Sequence, residues 1–138
     1  MTNDIMAAVQ SVVATASGET PLPYIPTTIQ TEDVLFMYAE PPTDEIVANN
    51  IIRRTFHISL WCLVQYVSGD DSAADAKFND LTDNISLALA ANKTLNGTVR
   101  STTLADINHN PLIEVDRVIF RARLWSLAAW VDIGVTMQ

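Results

Sequence analysis

The spacing of apolar side chains predicts two amphipathic helices. Residues 3–16 carry apolar side chains on one helical face, and residues 72–92 do the same over a longer stretch. The apolar stripe of the first helix is Ile5, Met6, Val9, Val12 and Val13. That of the second helix is Phe78, Leu81, Ile85, Ala88 and Leu89. Each helix therefore has one face suited to packing against a sheet.

Alternating apolar and polar positions predict the strands. Residues 52–67 form the clearest strand because their side chains alternate with a period of two. Further strands are predicted at 33–39, at 99–107, and over all or part of 113–130, whereas residues 41–50, "PPTDEIVANN", are interpreted as a loop. One face of the central strand carries Phe56, Ile58, Leu60, Cys62, Val64 and Tyr66. The other face carries Thr55, His57, Ser59, Trp61, Leu63 and Gln65.

These elements predict one α+β domain spanning residues 1–138. It comprises the N-terminal helix at 3–16, an extended Pro/Thr-rich segment at 19–32 that contains three prolines, and a core at 33–138. The element order is α-β-β-α-β-β. We expect an antiparallel or mixed sheet of about four strands packed by two helices.

The composition is unusual because the chain has few charged residues for its size. Of 138 residues, 49% are hydrophobic and only 17% are charged, against an average of about 25% in soluble proteins. This favours a surface that other copies of the same protein bury. The net charge of −8 argues against a nucleic-acid-binding module, which needs many phosphate-neutralising cations. No stretch approaches the roughly 20 apolar residues of a membrane span, and the acidic N-terminus does not resemble a signal peptide.

Acidic residues at the start of the second helix are the first candidates for chemistry. Asp70 and Asp71 are adjacent carboxylates, as in some acid–base sites. However, Ser72 and Asp75 have the spacing of a capping box, with Asp75 as a shortened acid. We interpret Ser72 and Asp75 as a helix cap and predict no catalysis here.

Other catalytic and metal-binding motifs are lacking in the sequence. The single cysteine, Cys62, permits no internal disulfide and no cysteine cluster for zinc. The stretch "DINHN" at 106–110 mimics the start of a calcium loop, but Pro111 and Arg117 occupy the positions that need Gly and Glu. No serine lies in a nucleophile elbow. We therefore predict a protein that is not an enzyme and that uses no cofactor or metal.

Arginine and tryptophan mixed with small polar residues predict an interface. These residue types are enriched where protein surfaces meet. The predicted subunit or partner interface consists of Trp61, Leu63, Arg117, Ile119, Arg121, Arg123 and Trp125. In the alternative interpretation, the N-terminal helix covers this face within one subunit.

Three stretches of the sequence look like parts of one known family. They are "LVQYVSGDDSAADAKF" at 63–78, "LTDNISLALAANKTLNGTVRSTTLADI" at 81–107, and "EVDRVIFRARLWSLAAWV" at 114–131. Together they resemble the tail-terminator, or tail-completion, proteins of long-tailed bacteriophages. The phrase "AANKTLNG" at 90–97 is similar to the helix end of that family. The Pro/Thr-rich segment 19–32 departs from the family pattern, and we consider it an assembly arm if it reaches a neighbouring ring.

The resemblance implies a structural virion protein assembled in the host cytoplasm. It would form a homo-oligomeric ring, a hexamer, at the head-proximal end of the tail tube. There it would end tube growth and join the tail to the neck connector, with DNA passing through the channel without specific binding. Two alternatives stay open: another phage neck component, such as a head-completion or tube-capping protein, and a small non-enzymatic binding domain with Trp61 and Trp125 in its pocket.

Overall fold

A computed structural model describes residues 1–27, 33–66, 71–108, 112–115 and 117–135. It has two helices and five strands. The helices are α1 (Thr2–Ser17) and α2 (Asp71–Ala91). The strands are β1 (Val34–Ala48), β2 (Ile51–Gln65), β3 (Ser101–Asn108), β4 (Ile113–Val115) and β5 (Val118–Gly134).

The five strands form one antiparallel sheet. Its order is β1-β2-β5-β3, and the short β4 also pairs with β5. The long strands β2 and β5 lie at the centre, in a continuous register that runs from Ile51 opposite Gly134 to Gln65 opposite Phe120. The α+β fold with two helices packed on a sheet is thus confirmed, and the sheet is antiparallel rather than mixed.

Both helices pack on the same face of the sheet, which we call the helix face. The apolar stripe of α1 is buried there, and Phe78, Leu81, Ile85 and Leu89 of α2 join it in one cluster. From β2 this cluster takes Phe56, Ile58, Leu60, Cys62 and Val64. Each large apolar side chain buried in such a core stabilises the fold by roughly 1.5–3 kcal/mol. The apolar stripes of both helices and the apolar face of β2 therefore form a single core.

The helices end where the sequence provides suitable residues. Gly18 ends α1 in the left-handed conformation, with φ of 77°, and its N–H donates to the Ala14 carbonyl at 2.8 Å. After α2, Leu95, Asn96 and Gly97 all have positive φ. Leu95 is fully buried in the core cluster. This loop fixes the path from α2 into β3.

The interpretation of residues 41–50 as a loop is wrong. β1 continues to Ala48, and a two-residue turn connects it to β2. Pro41 and Pro42 do not end β1 because a register shift between Glu40 and Thr43 accommodates them as a bulge on an edge strand. We call residues 40–54 the distal hairpin.

The last strand is divided where the sequence suggested one continuous stretch. A tight turn that includes Arg117, with φ of 70°, separates β4 from β5. β4 then folds back on the start of β5, with Val115 opposite Val118. The sheet thus has five strands instead of about four.

Part of the Pro/Thr-rich segment lies along the outer edge of β1. Leu22 donates its N–H to the Leu35 carbonyl at 2.9 Å and accepts from the Met37 N–H at 2.8 Å. Gln10 of α1 anchors the same stretch through its Nε2, which donates to the Pro21 carbonyl at 2.8 Å. Pro21 and Leu22 therefore contact their own subunit, while residues 28–32 lie outside the described residues.

Candidate assembly interface

The face of the sheet opposite the helices, which we call the open face, is covered by neither helix. The alternation of side chains along β2 and its register with β5 define the residues of the open face. They are Thr55, His57, Ser59 and Trp61 of β2, and Leu124, Ser126, Ala128 and Trp130 of β5. All eight are only half-buried, whereas the helix-facing positions between them on β2 are fully buried. Small polar side chains with two tryptophans make this face suitable for contact with another protein surface.

A small apolar cluster lies at one end of the open face. Phe36, Leu63, Phe120 and Ala122 are buried in it. Trp61 stacks on Phe36 with ring centroids 6.1 Å apart and an interplanar angle of 12°. Leu22 and the β4–β5 hairpin pack against this cluster. Leu63 is therefore covered within the subunit, whereas Trp61 is only partly covered.

A second aromatic feature of the open face combines Trp130 with two arginines. The Arg53 guanidinium lies 3.8 Å from the ring centroid of Trp130, and the Arg100 guanidinium lies 5.9 Å away. Arg53 also donates from Nε and Nη2 to the two carboxylate oxygens of Asp132, at 3.0 and 3.4 Å. This hydrogen-bonded pairing lowers the pKa of Asp132. The arrangement fixes the orientation of Arg53 over the ring.

The helix face contains arginines at the end where α2 begins. Arg121 forms an ion pair with Asp75 of α2 and lies 4.9 Å from the Phe78 ring centroid. Arg123 lies 5.0 Å from the ring centroid of Trp125. Both arginines are half-buried. Arg121 therefore helps to dock the start of α2 on the sheet within one subunit.

The predicted interface is divided between the two faces. Trp61 lies opposite Leu124 in the β2–β5 register, and Trp125 lies opposite Leu60. Paired residues of an antiparallel ladder share a face, so Trp61 and Leu63 face the open side while Arg121, Arg123 and Trp125 face the helices. The prediction that these residues form one surface is wrong. The sequence shows which residues of one strand share a face, but it does not show which face of the neighbouring strand lies on the same side of the sheet.

The structure contradicts the interface prediction most clearly at Trp125. Only 1% of it is exposed, and its Nε1 donates to the Ser86 hydroxyl of α2 at 3.0 Å. It lies in the helix-face core and has no exposed surface for a partner. The alternative named the N-terminal helix as the cover of this face, whereas the helix that hydrogen-bonds to Trp125 is α2.

Arg117 and Ile119 lie at the end of the sheet near the β4–β5 turn. Arg117 is exposed, and 44% of Ile119 is exposed. Like the half-buried Trp61, these two residues keep accessible surface, but they do not form one continuous patch with Trp61. Ile119 is on the helix side of β5 and Trp61 is on the open side.

The predicted helix cap differs from the observed start of α2. The helix begins at Asp71, so Ser72 is its second residue and not the residue before it. The Asp75 carboxylate accepts from Arg121, so its observed partner lies on the sheet and not at the helix N-terminus. Gly69 and Asp70 lie outside the described residues. The polar start of α2 therefore contributes to docking through Asp75.

Sequence reasoning missed the distal hairpin and the Trp130 cluster. All nine residues from Glu40 to Ala48 are exposed. Apolar side chains are among them, with 79% of Ile46 and 41% of Val47 exposed. Arg54 donates from Nε and Nη2 to the Asp44 carboxylate at 2.8 and 3.0 Å, which lowers the pKa of Asp44. The apolar pair Ile46-Val47 within an acidic stretch was the available signal.

The described residues contain no group of His, Cys, Asp or Glu side chains that could hold a metal ion. Cys62 is buried, and desolvation raises the pKa of its thiol to about 12. A thiol that stays protonated at neutral pH is a poor nucleophile. Neither helix, over its described residues, is long and apolar enough to cross a bilayer.

No protein-family model matches the sequence, and no curated protein is significantly similar to it.

Proposed function

We propose that this chain is a structural ring protein of the phage neck. In this proposal it ends the tail tube at its head-proximal side and joins the tail to the neck connector. The observation that carries the proposal is the unequal covering of the sheet: two helices cover one face, while the open face and the distal hairpin stay accessible. A self-assembling subunit needs such a pair of surfaces, because each copy must contact more than one neighbour.

The distal hairpin supports this proposal by its composition. It exposes Ile46, Val47 and Ile51 at its end, and ion pairs lie along both of its sides, Arg54 with Asp44 and Arg53 with Asp132. Exposed apolar residues with a polar rim are typical of a protein-contact surface. These ion pairs connect β2 to its two neighbouring strands and leave the hairpin exposed. A hairpin of this kind suits contact with an adjacent ring or subunit.

The charge of the chain supports a channel that does not retain DNA. With a net charge of −8, the protein repels phosphates on average, and DNA would pass without adhering. The protein would act through shape and contact and not through catalysis. The resemblance to tail-terminator proteins supplies the location at the tail tube and the expectation of six subunits.

The direct test is the assembly state of the purified chain, with and without tail tubes. We expect ring-shaped particles in negative-stain electron micrographs and a concentration-dependent oligomer in light scattering. Added to growing tail tubes, the protein should cap one end and limit tube length. A strict monomer at high concentration that leaves tube length unchanged would overturn the proposal.

The same experiment separates the proposal from the other neck components. A head-completion protein would bind isolated connectors and leave free tubes unchanged, whereas a terminator binds tube ends. Mixing the chain with each partner in turn, followed by sedimentation, distinguishes these results.

The structure contradicts the binding-domain alternative in which Trp61 and Trp125 share a pocket. It required Trp61 and Trp125 in one pocket, but Trp125 is buried on the helix face while Trp61 lies on the open face. No single ligand would contact both rings.

A further inference from the structure

The two outer edges of the sheet are protected to different degrees. An unpaired strand edge presents free N–H and C=O groups, and proteins usually protect it with proline, charge, a bulge or a covering segment. β1 has all four kinds of protection. Leu22 pairs with its first half, Pro41 and Pro42 form a bulge in its middle, and Asp44 and Glu45 follow. Only its last residues lie free of proline and covering chain.

The outer edge of β3 lacks most of this protection. Its sequence, "STTLADIN", contains no proline or basic residue and one acid, Asp106. Its register with β5 is regular from Ser101 to Asp106, without a bulge. Within the described residues, no backbone hydrogen bond reaches its outer edge. By the rules that govern sheet edges, β3 is a site for pairing with another strand.

A groove beside β3 extends this site. It lies between the end of α2 and β3, and is lined by Leu89, Ala90, Lys93, Thr102, Thr103 and Leu104. Lys93 is exposed and forms no ion pair with any described residue. Arg100 is also exposed, directly before β3. A strand added to β3 would direct alternate side chains towards this groove and Lys93, and the side chains between them towards the open face, where Arg100 lies near Trp130.

The end of the distal hairpin has the matching properties. Residues 43–46 pair regularly with β2 between two register shifts. Backbone N–H and C=O groups point alternately to the two sides of a strand. The Met37 N–H points outwards to Leu22, and the Tyr66 N–H points to Ile119 of β5, which shows the side for each residue of β1 and β2. Continued past the bulge, this alternation directs the N–H and C=O groups of Asp44 and Ile46 away from β2. This edge is thus available and acidic.

We propose that the edge of β1 at residues 43–48 of one copy pairs with the outer edge of β3 in a second copy. With the two strands parallel, the acids Glu40, Asp44 and Glu45 come close to the start of β3, which Arg100 directly precedes and beside which Lys93 lies. The two edges are different surfaces, so the contact is head-to-tail, and its repetition closes a ring or continues as a filament. This inference rests on the proposed self-assembly and names the surfaces that join.

Cysteine cross-linking between two singly substituted chains tests the pairing. Thr43→Cys and Thr103→Cys lie on exposed residues of the two edges. The buried native Cys62, with its pKa of about 12, does not compete for a maleimide cross-linker. We expect a mixture of the two variants to give a cross-linked dimer at least ten times more abundant than either variant alone. Pairing Thr43→Cys with Asn84→Cys, on the exposed side of α2, is the matched control.

A charge exchange gives an independent readout. Lys93→Glu places an acid near the incoming acids, and Glu45→Lys places a cation near Lys93. Each alone should reduce the oligomer fraction several-fold at low salt, and the double variant should restore it. Failure of the double variant to restore assembly would contradict the proposed contact.

The outcomes separate this inference from the proposed function. Oligomers that cross-link through Ser126→Cys on the open face, and not through the two edges, would overturn the edge pairing and leave self-assembly standing. Rings without any cross-link between residues 43 and 103 would have the same meaning. A monomer under all conditions would overturn both.

Discussion

The two faces of the sheet carry similar residue types yet play different structural roles. On the helix face, Trp125 is 1% exposed and donates a hydrogen bond to Ser86. On the open face, Trp61 is half-buried and stacks on Phe36, and Trp130 lies under the Arg53 guanidinium. All three tryptophans occupy long central strands. Coverage by helices, and not residue type, therefore decides which tryptophan is core and which is surface.

The difference also concerns how each face contributes to stability. The helix face is a continuous apolar core with contributions from both helices. The open face has only a small buried cluster at one end, made of Phe36, Leu63, Phe120 and Ala122. Substitutions on the helix face should therefore change the free energy of unfolding. Substitutions on the open face should change association more than stability.

The largest expected effect is that of Trp125→Ala. Loss of a fully buried tryptophan should lower the free energy of unfolding by about 3–5 kcal/mol, because a cavity remains under α2. Denaturant titration followed by circular dichroism measures this change. Trp125→Phe is the control, since it keeps most of the apolar volume and removes the bond to Ser86. A loss below about 1 kcal/mol for the alanine variant would mean that the two faces do not differ as described.

Cys62 should make stability fall at alkaline pH. Burial raises the pKa of its thiol from 9.0 to about 12, so the folded state keeps a proton that the unfolded state releases. The contribution is fully present below about pH 9 and is lost as the pH rises towards 12. At pH 10 the free energy of unfolding should be lower by roughly 1 kcal/mol.

The Cys62→Ala variant isolates this effect, because it removes the titrating group while other alkaline effects remain. We expect the stability difference between the variant and the parent chain to change with pH only above about pH 9. In the native chain at pH 8, the thiol should also react with a disulfide reagent only at the rate of unfolding. Rapid reaction would show that the helix face is open to solvent at β2.

Trp61→Ala should have a smaller effect on folding. It removes a half-buried ring and its stacking on Phe36, and such aromatic pairs contribute roughly 0.5–1.5 kcal/mol beyond area burial. We expect a loss of about 1–2 kcal/mol in the free energy of unfolding and a correctly folded chain. Measured beside Trp125→Ala under the same conditions, it should be clearly the milder substitution. Equal losses for the two variants would remove the distinction between the faces.

The smallest expected effect is in the distal hairpin. Asp44→Asn removes the ion pair with Arg54 at the exposed end of β1. Exposed ion pairs contribute little to stability, so the denaturation midpoint should not change measurably. Hydrogen exchange of residues 43–48 should nevertheless become faster, while that of Leu35 and Met37 should not. A cooperative loss of stability would mean that the hairpin is part of the core.

Much of the fold is predictable from the sequence for local reasons. The apolar stripe of α1 and the alternation over 52–67 are periodic over many residues, and each requires one type of element. The predicted helices at 3–16 and 72–92 agree with α1 and α2 within one residue at each end. Burial of Phe56, Ile58, Leu60 and Cys62 on one face follows from that same alternation.

Where prediction failed, a non-local contact decided the outcome. Pro41 and Pro42 indicate a break when read locally, but pairing with β2 on both sides of the bulge keeps β1 continuous. Asp75 has the spacing of a capping residue, yet Arg121, 46 positions away, binds its carboxylate.

The sequence by itself determined the helices, the central strand and the absence of a recognisable catalytic motif, since periodicity and motif spacing are properties of neighbouring residues. Only the tertiary structure decided that Trp61 and Trp125 face opposite sides of the sheet. Successive side chains of a strand point to opposite faces of the sheet, so a shift of one residue in the β2–β5 register would move every side chain of β5 to the other face. That register depends on contacts between residues about 60 positions apart, as with Trp61 and Leu124.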